Sequence, residues 1–222
     1  MSNLSTVSST TGSRVRAGIG AIVFSVSTVA ALVLANPPGG NYSAKTVTDY
    51  LAKGHRIEVI VVMHLALLGL VGLLYLLAHF RALLGAGTAQ SVFWGTGVAS
   101  AAAFAVGWGF VGGQVVAHWE GGSAIAIPLA VTYLVSEIGV VLIYGAGALL
   151  LGCALMVFVL NARLMIPTWL RRLTLVAGVA GIGGLAFFTF YLLMLWGIVV
   201  GVWLVADGSR APAESLAPEP IA

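Results

Sequence analysis

Residues 57–80 read IEVIVVMHLALLGLVGLLYLLAHF. Glu58 carries the only formal charge in this run when the two histidines are neutral. An α-helix needs about 20 apolar residues to cross the roughly 30 Å hydrocarbon core of a bilayer, and this run is long enough. It is also apolar on every side. That excludes a membrane barrel strand, in which lipid-facing and lumen-facing residues alternate. A helix hydrophobic all round is either a buried core helix or a membrane span. Four more runs of the same kind, at 17–35, 92–117, 124–160 and 173–206, favour the span.

Composition agrees. Of 222 residues, 60% are hydrophobic and 8% are charged, with a mean hydropathy of +1.06. Soluble domains carry about 25% charged and about 45–50% apolar residues. Charge this sparse cannot cover a water-exposed globule, which excludes a soluble domain, a disordered chain and a nucleic-acid binder. The single cysteine, Cys153, cannot pair within the chain, which excludes a disulfide-stapled scaffold. The fold class is therefore all-α: a polytopic transmembrane helical bundle, one domain over residues 14–206.

The run 124–160 is too long for one upright span, and Pro128 and Glu137 interrupt it. It divides into a short interfacial piece over 124–136 and a span from about 138 to 160. The run 173–206 divides into two short spans with a turn near 187–190. One steeply tilted helix, about 50 Å long at 1.5 Å per residue, is the alternative. The count is then six spans, or five. With six, Arg14, Arg16, Arg81, Arg163, Arg171, Arg172 and Arg210 fall on one side, and Lys45, Lys53 and Arg56 on the other. This obeys the positive-inside rule with both termini cytoplasmic. The net charge of +3 then reflects topology. Residues 17–35 share features of a signal peptide, with Val33-Leu34-Ala35 as its cleavage site. Their apolar run exceeds the usual core of about 7–15 residues, so a retained helix is expected.

Residues 1–13, rich in Ser and Thr, and 207–222, with Pro212, Pro218 and Pro220, read as disordered tails. Asn36-Pro37-Pro38-Gly39-Gly40 is a turn cluster that stops the first helix. Ser43 is placed to cap a short helix over 44–53, with Val47, Tyr50 and Leu51 on one face over the bundle mouth or the membrane surface.

Gly97, Ala101, Ala105, Gly109 and Gly113 recur every four residues in the third span. Gly197 and Gly201 form a GxxxG pair in the last, and Ala148 and Gly152 share a face of the fourth. Lipid supplies no hydrophobic drive between helices, so small residues predict close packing, within the chain or with a homo-oligomer or membrane-complex partner. Trp94, Trp169 and Trp203 fall at cytoplasmic ends and Trp119 at an outer end, as interfacial anchors, while Trp108 and Trp196 read as packed.

Polar groups within or bordering apolar runs are the default functional candidates, because burying them is costly. Glu58, His64, Gln114, His118, Glu120 and Glu137 all fall toward the outer half, which predicts a ligand pocket there. A structural reading competes at each. Glu58, Glu120 and Glu137 lie near helix ends, where water is close, and the helix dipole favours Glu58 and Glu137 at the helix starts. His64 reads equally as a neutral ring bonded to a neighbouring helix. His64 and His118 come from different helices on one side, as haem b or a zinc or copper site would require. Their depths differ by about 10 Å, however, and paired-His spacing is absent. No cofactor is therefore expected, with haem b or a transition metal as the minor alternative. No GxSxG, Walker loop, GxGxxG before a strand or CxxC is present. Cys153 reads as a small packed residue.

These features lead to a non-catalytic binding or carrier bundle, or an accessory subunit, with an outward pocket for an apolar or amphipathic ligand such as a lipid. A redox or metal protein using His64 and His118 is one alternative. A proton-coupled carrier using His64 and Glu137 is another.

The stretch NARLMIPTWLRRL at 161–173, followed by VAGVAG at 176–181, resembles a linker of uncharacterised six-span membrane proteins from actinobacteria and other bacteria. Those chains combine a basic residue, a Pro-x-Trp-Leu turn and a Gly-rich span. Gly54-His55-Arg56 and Gly201-Val202-Trp203-Leu204 fit the same pattern, and the order of elements matches along most of 15–206. The resemblance implies six spans with both termini inside, and it implies no activity.

Overall fold

The computed structural model describes residues 3–38, 40, 42–121, 127–162, 166–184 and 188–214, and every regular element among them is helical. In chain order these are α1 (Asn3–Ala35), α2 (Ala44–Tyr50), α3 (Lys53–Leu83), α4 (Thr88–Gly121), α5 (Leu129–Val141), α6 (Ala148–Asn161), α7 (Thr168–Ile182) and α8 (Phe188–Glu214). A π-helical segment, Leu142–Gly147, joins α5 to α6 in one continuous rod. Among the described residues, five helical stretches are long and apolar enough to cross a membrane: Gly12–Ala35, His55–Leu83, Thr88–Gly121, Leu129–Asn161 and Thr189–Gly208. α7, at 15 residues, reaches only about 22 Å at 1.5 Å per residue, short of the hydrocarbon core.

The chain is a helical membrane bundle. Exposed apolar side chains run the length of its helices, among them Val61, Leu65, Leu68 and Val71 on α3, and Leu192, Leu195 and Val202 on α8. Water does not tolerate a continuous apolar surface on a monomer, whereas lipid does. Inside, aromatic rings tie four helices together. Phe80 of α3 stacks on Phe158 of α6 at 4.3 Å, with Phe93 of α4 and Trp196 of α8 against them.

Neighbouring long helices run antiparallel and meet where side chains vanish. A Cβ built on Gly20 of α1 would lie 2.5 Å from the carbonyl oxygen of Gly72 in α3. The corresponding distance is 2.6 Å from Gly18 to Gly201 (α1 to α8), 2.8 Å from Gly107 to Gly139 (α4 to α5) and 2.6 Å from Gly152 to Gly178 (α6 to α7). α7 thus lies back along α6, and α8 returns along α7 and α1. Arg14 near the start of α1 pairs with Asp207 near the end of α8 at 2.7 Å. Both sit at one end of the bundle, and α2 sits at the other.

Several expectations are corrected. The run 124–160 does not break at residue 136, because helix is continuous from Leu129, with Pro128 as its N-cap. Residues 122–126 lie outside the described set. Glu137 therefore stands two turns inside α5 and does not open a helix. Glu58 likewise lies in the second turn of α3. The final apolar run does bend back, but earlier than expected, with Gly183 ending α7. Gly184 fits its backbone against the Tyr144 carbonyl. Helix also extends through residues 3–13 and 207–214. Extending a formed helix is cheap compared with nucleating one.

The five-residue stripe on α4 divides. Gly97 packs on Leu77 and Ala101 is buried, while Ala105 is partly buried. Gly109 and Gly113 face open space, with nothing within 4 Å of a built Cβ. The contacts of that half of α4 fall to Gly107 and Gly112, the latter fitting Met63.

Gly72→Leu is expected to lower stability by about 1–3 kcal/mol through overpacking, whereas Gly109→Leu should leave it unchanged. Thermal unfolding followed by a thiol-reactive dye on Cys153 checks both.

Candidate functional site

The turn after α1 builds the first wall of a cavity at the α2 end. Asn36 takes a left-handed conformation, φ 41°, and its amide closes on the Leu32 carbonyl at 3.1 Å. Asn tolerates this geometry at a helix C-terminus better than other non-glycine residues. The chain then reaches Gly40, whose φ of 73° suits glycine. α5 grips that one residue from both sides. The Glu137 carboxylate accepts from the Gly40 N–H at 3.2 Å, and the Tyr133 hydroxyl donates to the Gly40 carbonyl. Tyr133 and Glu137 are four residues apart and so share a helix face. Tyr42 stacks edge-on against Tyr133 at 5.3 Å. Together these contacts strap the connection between α1 and α2 onto α5.

Beneath the strap lies a cavity of about 250 Å³, lined by Leu32, Asn36, Pro37, Gly40, Glu137, Val140, Tyr144 and Tyr191. Tyr144 belongs to the π-helical segment. A π turn changes which side chains face inward, and such turns concentrate at functional sites. It also leaves backbone groups to be satisfied otherwise, and here Ser100 of α4 donates to the Gly147 carbonyl at 2.7 Å. The Tyr144 and Tyr191 hydroxyls lie 3.4 Å apart, and the Phe190 ring supports Tyr144 from the side at 4.6 Å.

α2 closes the neighbouring part of the mouth. Ser43 caps it, and Val47, Tyr50 and Leu51 are buried. The Tyr50 hydroxyl donates to the Val111 carbonyl of α4 at 2.7 Å. Burial pushes this phenol well above its ordinary pKa, with a Gln114 hydrogen bond pulling the other way, so it stays a neutral donor. Gln114 is buried, and its Nε2 donates to the same carbonyl at 3.4 Å. Its Oε1 has no partner. Gln114 also lines an apolar groove of about 270 Å³ between α4 and α5, beside Gly109 and Gly113.

The six polar residues expected to converge do not form one site. Glu137 lines the strapped cavity. Glu58 is at the surface, 3.1 Å from His55 Nδ1, while His55 Nε2 donates to the Ala35 carbonyl at 3.0 Å and ties α3 to the end of α1. His64 is exposed on α3, and its Nδ1 donates to its own helix at Ile60, 2.7 Å away. His118 is half-buried with an unpaired Nδ1, and Glu120 is exposed. Among the described residues, no three His, Cys, Asp or Glu side chains gather as a metal site. Sequence reasoning missed Tyr144, Tyr191 and Asn36. Tyrosine gives no periodic signal, and the π segment that turns Tyr144 inward leaves no motif.

The fold and cavity define a helical membrane protein with a polar-floored recess between α1, α5 and α8. No family model, curated protein or solved structure matches the chain.

Tyr133→Phe is expected to loosen the strap by about 0.5–1.5 kcal/mol. Hydrogen exchange of the α2 amides should then speed up by roughly 2- to 10-fold, with α6 unaffected.

Proposed function

We propose that this chain is a non-catalytic binding or carrier bundle, or an accessory subunit, of a bacterial cytoplasmic membrane, and that it holds a small amphipathic ligand in the Glu137 cavity. One observation carries the reading: a carboxylate and two tyrosine hydroxyls share a recess with the apolar walls of Leu32, Pro37 and Val140. Ligand sites are mostly apolar with a few convergent polar groups. The described lining residues supply one carboxylate, two tyrosines and an Asn side chain among apolar walls, a set suited to holding a ligand. The volume falls just below the range of about 300–1,000 Å³ typical of drug-sized ligands, which favours a small molecule.

In this reading α7 is a short sixth crossing and both termini are cytoplasmic. Arg14, Arg16, Arg81, Arg171 and Arg172 cluster at the terminal end, against Lys45 and Arg56 at the α2 end, which supports that orientation. The cavity then opens outward. The exposed ring of His64, bonded to its own helix, favours neither a metal site with His118 nor a proton path with Glu137.

Native mass spectrometry of protein released gently from detergent tests the proposal. The wild-type chain should retain a small-molecule adduct. Val140→Phe, which fills the cavity, should lose it while keeping the wild-type unfolding temperature. A bare wild-type chain, or an adduct that survives Val140→Phe, contradicts the reading.

A further inference from the structure

We infer that the cavity selects a cationic ligand, a small amphipathic amine or quaternary ammonium whose positive head meets Glu137. The inference rests on the binding reading above and names its ligand class. Glu137 is half-buried beside an apolar wall. Among the described residues no Lys, Arg or His lines the cavity beside it, and its hydrogen bond comes from the Gly40 amide. The carboxylate lies two turns inside α5, beyond the first turn where a helix dipole is felt. A carboxylate at the edge of a low-dielectric region needs a compensating positive charge, and the described lining residues supply none. Two further groups suit a cation. The Tyr144 and Tyr191 rings offer negative faces to an ammonium group, and their hydroxyl oxygens can accept hydrogen bonds. Leu32, Pro37 and Val140 would take the apolar part. An anion would meet the carboxylate at short range and be rejected.

Three probes of similar shape separate charge from shape: benzyltrimethylammonium, neopentylbenzene and 2,2-dimethyl-3-phenylpropanoate. Each is titrated by calorimetry against the full-length protein in nanodiscs of zwitterionic lipid. The cation should bind about tenfold or more tightly than either other probe. Glu137→Gln should erase that preference while keeping the acceptor for Gly40, so the strap stays closed and the unfolding temperature holds. Equal binding of all three probes, lost together in Val140→Phe, would overturn cation selection while leaving the binding site standing. A preference that survives Glu137→Gln, or no binding of the cation, also overturns the inference. The native adduct of the wild-type chain judges the binding reading separately.

Discussion

Backbone touches backbone in this bundle at pairs of glycines, among them Gly20 with Gly72, Gly18 with Gly201, Gly107 with Gly139, and Gly152 with Gly178 and Gly181. The rest of the structure depends on these contacts. In lipid, one apolar surface gains nothing by leaving acyl chains for another, so helices associate through close van der Waals contact and hydrogen bonds. A glycine at each crossing lets the rods approach to that range. The aromatic cluster around Phe80 and Phe158 then fills the space left between rods. Polar links such as Trp196 Nε1 to Thr174 at 3.0 Å and Ser100 to Gly147 at 2.7 Å fix the rotation of each helix.

The cavity follows from where those contacts stop. α1 ends at Ala35 with a left-handed turn at Asn36, and the cavity lies between that end and the described start of α8 at Phe188. The loop covers part of the gap because α5 holds it at Gly40. The π-helical segment adds the floor by turning Tyr144 inward beside Tyr191. A carboxylate, two phenols and an apolar wall thus meet at one place, contributed by elements more than a hundred residues apart. Glu137 has two roles there. Its oxygen latches the loop, and its charge faces the recess.

Much of the fold was legible in the sequence, and much of the site was not. The apolar runs, the stop at Asn36-Pro37 and the Ser43 cap are local signals with local causes. The turn at Gly183-Gly184 was harder to see, because glycine is so frequent here that one more pair carries little signal. The α4 stripe shows the limit of spacing arguments. Period four selects a face but not which half of it meets a partner, and Gly109 and Gly113 lie on the open half. Polar residues at similar depth suggested a single pocket. Depth fixes only one coordinate, and rotation about each helix sends His64 outward and Glu137 inward.

The central claim is that position 137 stands in a recess open to water while position 64 lies on the lipid-facing surface. Cysteine accessibility tests it most directly. In a Cys153→Ala background, Glu137→Cys and His64→Cys are exposed in turn to a membrane-impermeant thiol reagent, with the protein in nanodiscs. The account predicts rapid labelling at 137 and little at 64. Labelling at 64 with protection at 137 would contradict it.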